Sequence, residues 1–158
     1  MKRLIVSLAV AAGLAASVGL VGATSATPVT VSLVSCVFGG GGNATVPAGS
    51  QVTVRIGWAD INRGLVQDFL NAQTTTATVN GSPVANASSY WGPISDNNVT
   101  FWLYDTGVVL GAGDTMTVTA DVSLSHPIPG GKDDEGHPLF NGPGSIFGGP
   151  ITCTITGV

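Results

Sequence analysis

Alternation of apolar and polar residues recurs along much of the chain and predicts β-strands. Residues 51–58 are the clearest case, because every second residue is apolar and the last of them is Trp58. One face of such a strand is apolar and the other is polar. Trp58 belongs to the apolar face, so we expect it to be buried. The other segments with strand character are residues 29–34, 74–79, 99–104, 115–122 and 151–156.

Turn signals and one helical pattern lie between these segments. Asn80 and Gly81 follow residues 74–79 and favour the positive φ angles of a type I′ hairpin turn. Pro83 has no backbone donor, so the returning strand is predicted at a sheet edge. Residues 65–72 repeat apolar pairs at i and i+4, which predicts a short crossover helix, with a buried loop as the alternative.

The number and spacing of strands define the expected fold class. Roughly seven to nine short strands, with turns every 8–12 residues, predict an all-β antiparallel β-sandwich of immunoglobulin-like type over residues 27–158. In the strand at 99–104, Phe101 and Leu103 share one face and Trp102 and Tyr104 share the other. One of these pairs must face solvent unless both sides of the strand are covered.

Residues 1–26 have the order of a secretory signal. A basic start at Lys2 and Arg3 precedes an apolar run, and small residues at Ala23 and Ala26 suit cleavage. A retained membrane anchor is the alternative, since the run approaches spanning length. We therefore expect a secreted protein with no membrane span after cleavage.

Cys36 and Cys153 are the two cysteines of the chain. In an exported protein such a pair usually forms a disulfide, here expected to join the first strand to the last. The alternative is an envelope lipoprotein anchored at Cys36, because residues 33–36 (Leu-Val-Ser-Cys) resemble a lipobox. That alternative would leave Cys153 unpaired.

Charge excludes two classes of partner. Residues 27–158 hold three of the five cations and all nine acids, a formal net charge of −6. Nucleic acid and anionic lipid headgroups both require clustered cations, so neither is an expected partner.

Two groups of residues are candidates for binding or chemistry. Asp133, Asp134, Glu135 and His137 lie within five positions of one another and could hold Ca²⁺ or Zn²⁺, joined by a further ligand such as His126. Their spacing matches no complete metal template, and a charged loop that faces water is the preferred explanation, so no cofactor is predicted. Tyr90 and Trp91, next to a turn, could stack on a sugar ring or pack in the core.

Several segments resemble small secreted bacterial proteins with a single immunoglobulin-like domain. They are residues 46–76, which include Val-Pro-Ala-Gly-Ser, Gly57-Trp58 and the sequence at 63–70, and the glycine-rich tail at 144–149. The resemblance implies a fold and a location and carries no functional residue.

The leading functional hypothesis is a secreted, non-enzymatic module with a binding or structural role, whose partner is an extracellular protein or glycan. The alternatives are a secreted metal-dependent or hydrolytic enzyme using residues 133–137, and the lipoprotein anchored at Cys36.

Overall fold

The computed structural model describes residues 26–140 and 142–158. All of the expected export signal except its last residue lies outside this range, so the signal and its cleavage stay predictions. The elements in chain order are β1 (Thr27–Ser32), a π-helical turn (Ser35–Gly39), β2 (Asn43–Val46), β3 (Ser50–Ala59), α1 (Arg63–Ala72), β4 (Gln73–Val79), β5 (Ser82–Pro83), a 3₁₀ turn (Ala87–Tyr90), β6 (Val99–Leu110), β7 (Thr115–Leu124), β8 (Gly144–Ser145) and β9 (Ile151–Gly157).

These strands form two sheets, which confirms the all-β prediction. One sheet has the order β1-β3-β6, and the other has the order β2-β9-β7-β4-β5 with β8 added to β7. Pairing is antiparallel within β3–β6, β4–β5, β4–β7, β7–β8 and β7–β9. The expectation of purely antiparallel pairing is wrong at two edges, because β1 runs parallel to β3 and β2 runs parallel to β9. Alternation in a sequence reports strands and faces, and carries no information on strand direction.

The hairpin and helix predictions are confirmed. Asn80 and Gly81 have φ angles of 50° and 79° and connect β4 to β5, and Pro83 lies in the edge strand β5. Helix α1 begins after Asn62, whose side-chain oxygen accepts a hydrogen bond from the Leu65 N–H at 3.0 Å. It buries Val66 and Phe69, and it connects a strand of one sheet to a strand of the other.

The core lies between the sheets and follows the predicted alternation. Trp58 is fully buried, as expected, and its ring stacks on Phe69 at 4.2 Å between centroids. In β6 the outward pair is Phe101 and Leu103: Leu103 is 46% exposed, whereas Trp102 is buried and donates its indole N–H to a backbone carbonyl. Buried side chains from both sheets complete the core: Val52, Val54, Ile56, Met116, Val118, Val122, Ile151 and Ile155.

The predicted disulfide is present between Cys36 and Cys153, with Cα atoms 5.9 Å apart. Cys153 lies in the last strand, β9, as expected. Cys36 lies in the helical turn after β1 rather than in the strand, because Leu33 and Val34 are both buried and two consecutive buried residues break the alternation of a strand. A bridged Cys36 leaves no free thiol for lipid attachment.

Over the described ranges, no helix combines the length and the apolar character that crossing a membrane requires.

Candidate functional site

The segment at residues 131–139, called here the acidic loop, docks beside the end of β3. Ala59 and Lys132 exchange two backbone hydrogen bonds of 2.9 and 3.0 Å, and the Leu139 N–H donates to Gly131 at 3.0 Å. Lys132 also pairs with Pro138, so the segment folds back on itself. The acidic loop is therefore held as a short hairpin next to the first sheet.

Two glycines allow the acidic loop to approach the sheet. A Cβ on Gly131 would lie 2.1 Å from the ring of Trp58, and a Cβ on Gly57 would lie 2.3 Å from the side chain of Asp134. Both distances are impossible for real atoms, so the loop rests on β3 only because these two residues lack side chains.

Asp134 anchors the loop to the sheet. Its carboxylate lies 2.9 Å from the Arg55 guanidinium, and its side chain is 6% exposed. Burial raises the pKa of Asp134 even though Arg55 opposes that shift. The Arg55 guanidinium also lies 5.1 Å from the ring centroid of Phe101. Asp134 thus points to β3, away from the other acidic side chains of the loop.

Asp133 organises the rest of the loop. Its Oδ1 accepts hydrogen bonds from the backbone N–H groups of Glu135 and His137 at 2.9 and 2.8 Å, and its Oδ2 lies 2.8 Å from His137 Nδ1. This hydrogen bond and the charge of Asp133 raise the pKa of His137. Asp133 is 1% exposed and the Asp134 side chain 6%, so a charged loop facing water does not account for these two carboxylates. It does account for Glu135 and His137, which are more exposed.

The π-helical turn faces the acidic loop and is tied to the second sheet by the disulfide. Its carbonyls at Ser35 and Cys36 accept hydrogen bonds from Gly40 and Gly42 at 2.9 and 2.8 Å. The Ser35 hydroxyl donates to the carboxylate of Glu135. The turn and the loop are therefore in direct contact.

A cavity of about 450 Å³ lies between the turn and the loop. Its walls combine apolar side chains with a small number of polar groups, and the ring of Phe38 is 62% exposed. The lining residues are Val34, Ser35, Phe38 and Gly39 from the turn and Asp133, Glu135, His137, Pro138 and Leu139 from the loop.

Asp133, Glu135 and His137 are the predicted residues that the fold brings together. Their donor atoms all lie within 4.8 Å of one another, so this set of two carboxylates and one imidazole could serve as metal ligands. The expected larger set does not form: Asp134 faces Arg55, and His126 Nε2 lies 3.1 Å from Asp68 in α1. The structure thus assembles three of the five residues considered for a metal site.

Tyr90 and Trp91 do not line this cavity. The Trp91 indole donates to the Thr75 hydroxyl at 2.8 Å, and its ring packs edge-on against Phe69 at 4.8 Å. Tyr90 is 39% exposed and packs edge-on against Tyr104 at 5.0 Å. Trp91 therefore belongs largely to the packing of α1 against the sheets, and Tyr90 lies at the rim of that cluster.

Sequence reasoning did not identify the wall formed by Val34, Ser35 and Phe38. The signal was present, since residues 33–38 depart from alternation and carry apolar residues on both sides of Cys36. The partner of this wall lies about a hundred residues later in the chain, and no local pattern indicates that proximity.

Comparison of the chain with protein-family models, with curated proteins and with solved structures finds no match.

Proposed function

We propose that the chain is a secreted, non-enzymatic module of immunoglobulin-like type that binds a small ligand outside the cell, in the cavity between the π-helical turn and the acidic loop. The observation that carries this proposal is the cavity itself. Its volume of about 450 Å³ is within the range of about 300–1,000 Å³ of small-molecule sites.

The composition of the walls supports binding. Ligand sites are mostly apolar with a few convergent polar groups, and here Val34, Phe38 and Leu139 line the same cavity as the carboxylates of Asp133 and Glu135. Both walls are connections placed on a rigid pair of sheets, which is where binding residues concentrate in β-sandwiches.

Preorganisation supports the same conclusion. The disulfide holds one wall, and the contacts of Gly57, Gly131 and Asp134 hold the other. A site whose walls are fixed before the ligand arrives avoids the entropic cost of ordering them on binding.

Polar contacts in the cavity favour binding over hydrolysis. The Ser35 hydroxyl donates to the carboxylate of Glu135 and not to the imidazole of His137. A serine nucleophile requires a hydrogen bond to a base that removes its proton, and a carboxylate is a weak base for a hydroxyl.

The extracellular location rests on the signal predicted at residues 1–26 and on the Cys36–Cys153 disulfide, since disulfides persist in oxidising compartments. The immunoglobulin-like assignment rests on two packed sheets of short strands and on the resemblance given above.

A fragment screen followed by amide NMR tests the proposal. In the oxidised protein we expect bound fragments to shift the amide signals of Val34, Phe38 and Leu139. Gly39 lines the cavity and a Cβ on it meets no atom within 4 Å, so Gly39→Leu should leave the fold intact and occupy part of the cavity. It should reduce these shifts, whereas Thr117→Leu, on an exposed position of β7, should preserve them. Fragments that bind both variants equally, or only elsewhere on the surface, would contradict the proposal.

A further inference from the structure

The polar groups of the cavity carry negative charge. Asp133 and Glu135 both line it, and among its described lining residues none is lysine or arginine. His137 is the remaining titratable group, and even its protonated form compensates only one of the two carboxylates, so the cavity keeps a negative charge.

One carboxylate oxygen is available to a ligand. Glu135 Oε1 accepts from Ser35, while Oε2 lies 3.9 Å from His137 Nδ1, which is too far for a hydrogen bond. The Glu135 side chain is 35% exposed, so this oxygen is partly shielded from water. A cation placed there would gain more from the charge than it would on an open surface.

The apolar wall complements such a cation. The exposed ring of Phe38 lines the same cavity as Glu135, together with Val34 and Leu139. An aromatic face attracts a positive charge, and the aliphatic side chains suit the apolar body of the molecule that carries it.

We propose that the ligand of this cavity is a small organic cation, an ammonium group attached to an apolar body, whose nitrogen contacts Glu135 and whose body packs against Phe38 and Leu139. This inference rests on the proposed function and adds the chemical class of the ligand.

A divalent metal ion fits these groups less well than an organic cation. Both oxygens of Asp133 already accept hydrogen bonds, and one of its three donors is His137 Nδ1. A metal ligated by Asp133 Oδ2 and His137 Nδ1 would have to break their mutual hydrogen bond. An ammonium bound at Glu135 Oε2 leaves all of these contacts in place.

Three probes that share a phenylethyl body test the proposal: 2-phenylethylammonium, neutral 2-phenylethanol and the anion 3-phenylpropanoate. Each is titrated into the oxidised protein at pH 8 and followed by amide NMR. The ammonium should bind about tenfold more tightly than the alcohol, the difference expected for one well-placed, partly buried charge contact, and the anion should be weakest.

Two variants locate the charge contact. Glu135→Gln should weaken ammonium binding about tenfold and leave alcohol binding unchanged. Ser35→Ala removes the hydroxyl contact to Glu135 and should retain the preference for the ammonium. Asp68→Asn is the matched control, because it removes a carboxylate that faces His126 rather than the cavity, and it should change neither affinity.

The outcomes separate this inference from the proposed function. Equal binding of the ammonium and the alcohol in the cavity would overturn the inference and sustain the function. Cavity signals that respond to Zn²⁺ and not to the ammonium would overturn it in favour of a metal site. If no probe and no screened fragment shifts the cavity signals, both proposals fail.

Discussion

The two walls of the cavity are held in different ways. The π-helical turn is joined covalently to β9 through Cys36 and Cys153. The acidic loop is held by packing, backbone hydrogen bonds and the Arg55–Asp134 ion pair. The turn should therefore respond to reductant, and the loop should respond to pH and to the shape of its contacts.

Loss of the disulfide is expected to have the largest effect. The bridge closes a span of 117 residues, which on the chain-entropy model stabilises the fold by about 4–5 kcal/mol. Cys153→Ser should lower the free energy of unfolding by that order in denaturant titrations and make it insensitive to dithiothreitol. Unfolding of the wild-type protein that is unchanged by reductant would show that the thiols are not joined.

Truncation of Trp58, on which the acidic loop packs, should have the second-largest effect on stability. Trp58 is fully buried, stacks on Phe69 and lies beneath Gly131. Trp58→Ala should cost about 3–5 kcal/mol, because a large cavity replaces the ring. A cost below about 1 kcal/mol would place Trp58 at the surface and contradict its packing against Phe69 and Gly131.

A smaller and more local effect is expected at Gly57. In Gly57→Ala the new methyl group would overlap Asp134, so the acidic loop must shift, at a cost of about 1–3 kcal/mol. Hydrogen exchange should accelerate at the Lys132 and Leu139 amides, which hold the loop. The matched control is Gly39→Ala, whose Cβ enters open space and should change stability by less than about 0.5 kcal/mol. Unchanged exchange in Gly57→Ala would show that the loop does not depend on this contact.

The pH dependence of the loop should be the mildest effect. The pKa of His137 is raised above its ordinary 6.5, mainly by the hydrogen bond to Asp133. The protonated form therefore stabilises the folded loop; this contribution is complete below pH 6.5 and is lost as the pH rises through the raised pKa. Protection factors of the Glu135 and His137 amides should fall accordingly.

Two histidine variants check this assignment. His137→Gln should remove the pH dependence of these protection factors, and His126→Gln, which affects a histidine paired with Asp68, should retain it. Loss of the pH dependence in His126→Gln, with its retention in His137→Gln, would contradict the assignment to His137.

The parts of the fold that local patterns determine were predictable. Alternation located β3 and β7, Asn80-Gly81 located the hairpin turn, and the i, i+4 pattern located α1. Strand direction was not predictable, because alternation carries no information on it. The end of β6 was not predictable either, because β6 continues through Gly107 to Leu110 only by pairing with β3 across a bulge.

The candidate site was predictable only in part. The sequence placed Asp133, Glu135 and His137 together because they are neighbours in the chain. It did not separate Asp134 from them. The position of Asp134 depends on the absence of a side chain at Gly57, in a strand some eighty residues earlier. A glycine within a strand is the local sign of such a close approach, but it does not identify what approaches.

A crystal structure of the oxidised protein with 2-phenylethylammonium would show where the amine binds. The ammonium nitrogen should lie within about 3 Å of the Glu135 carboxylate, with the phenyl ring against Phe38 and with both walls in place. An amine bound elsewhere at full occupancy, with the cavity between the turn and the acidic loop left unchanged, would contradict the proposed site.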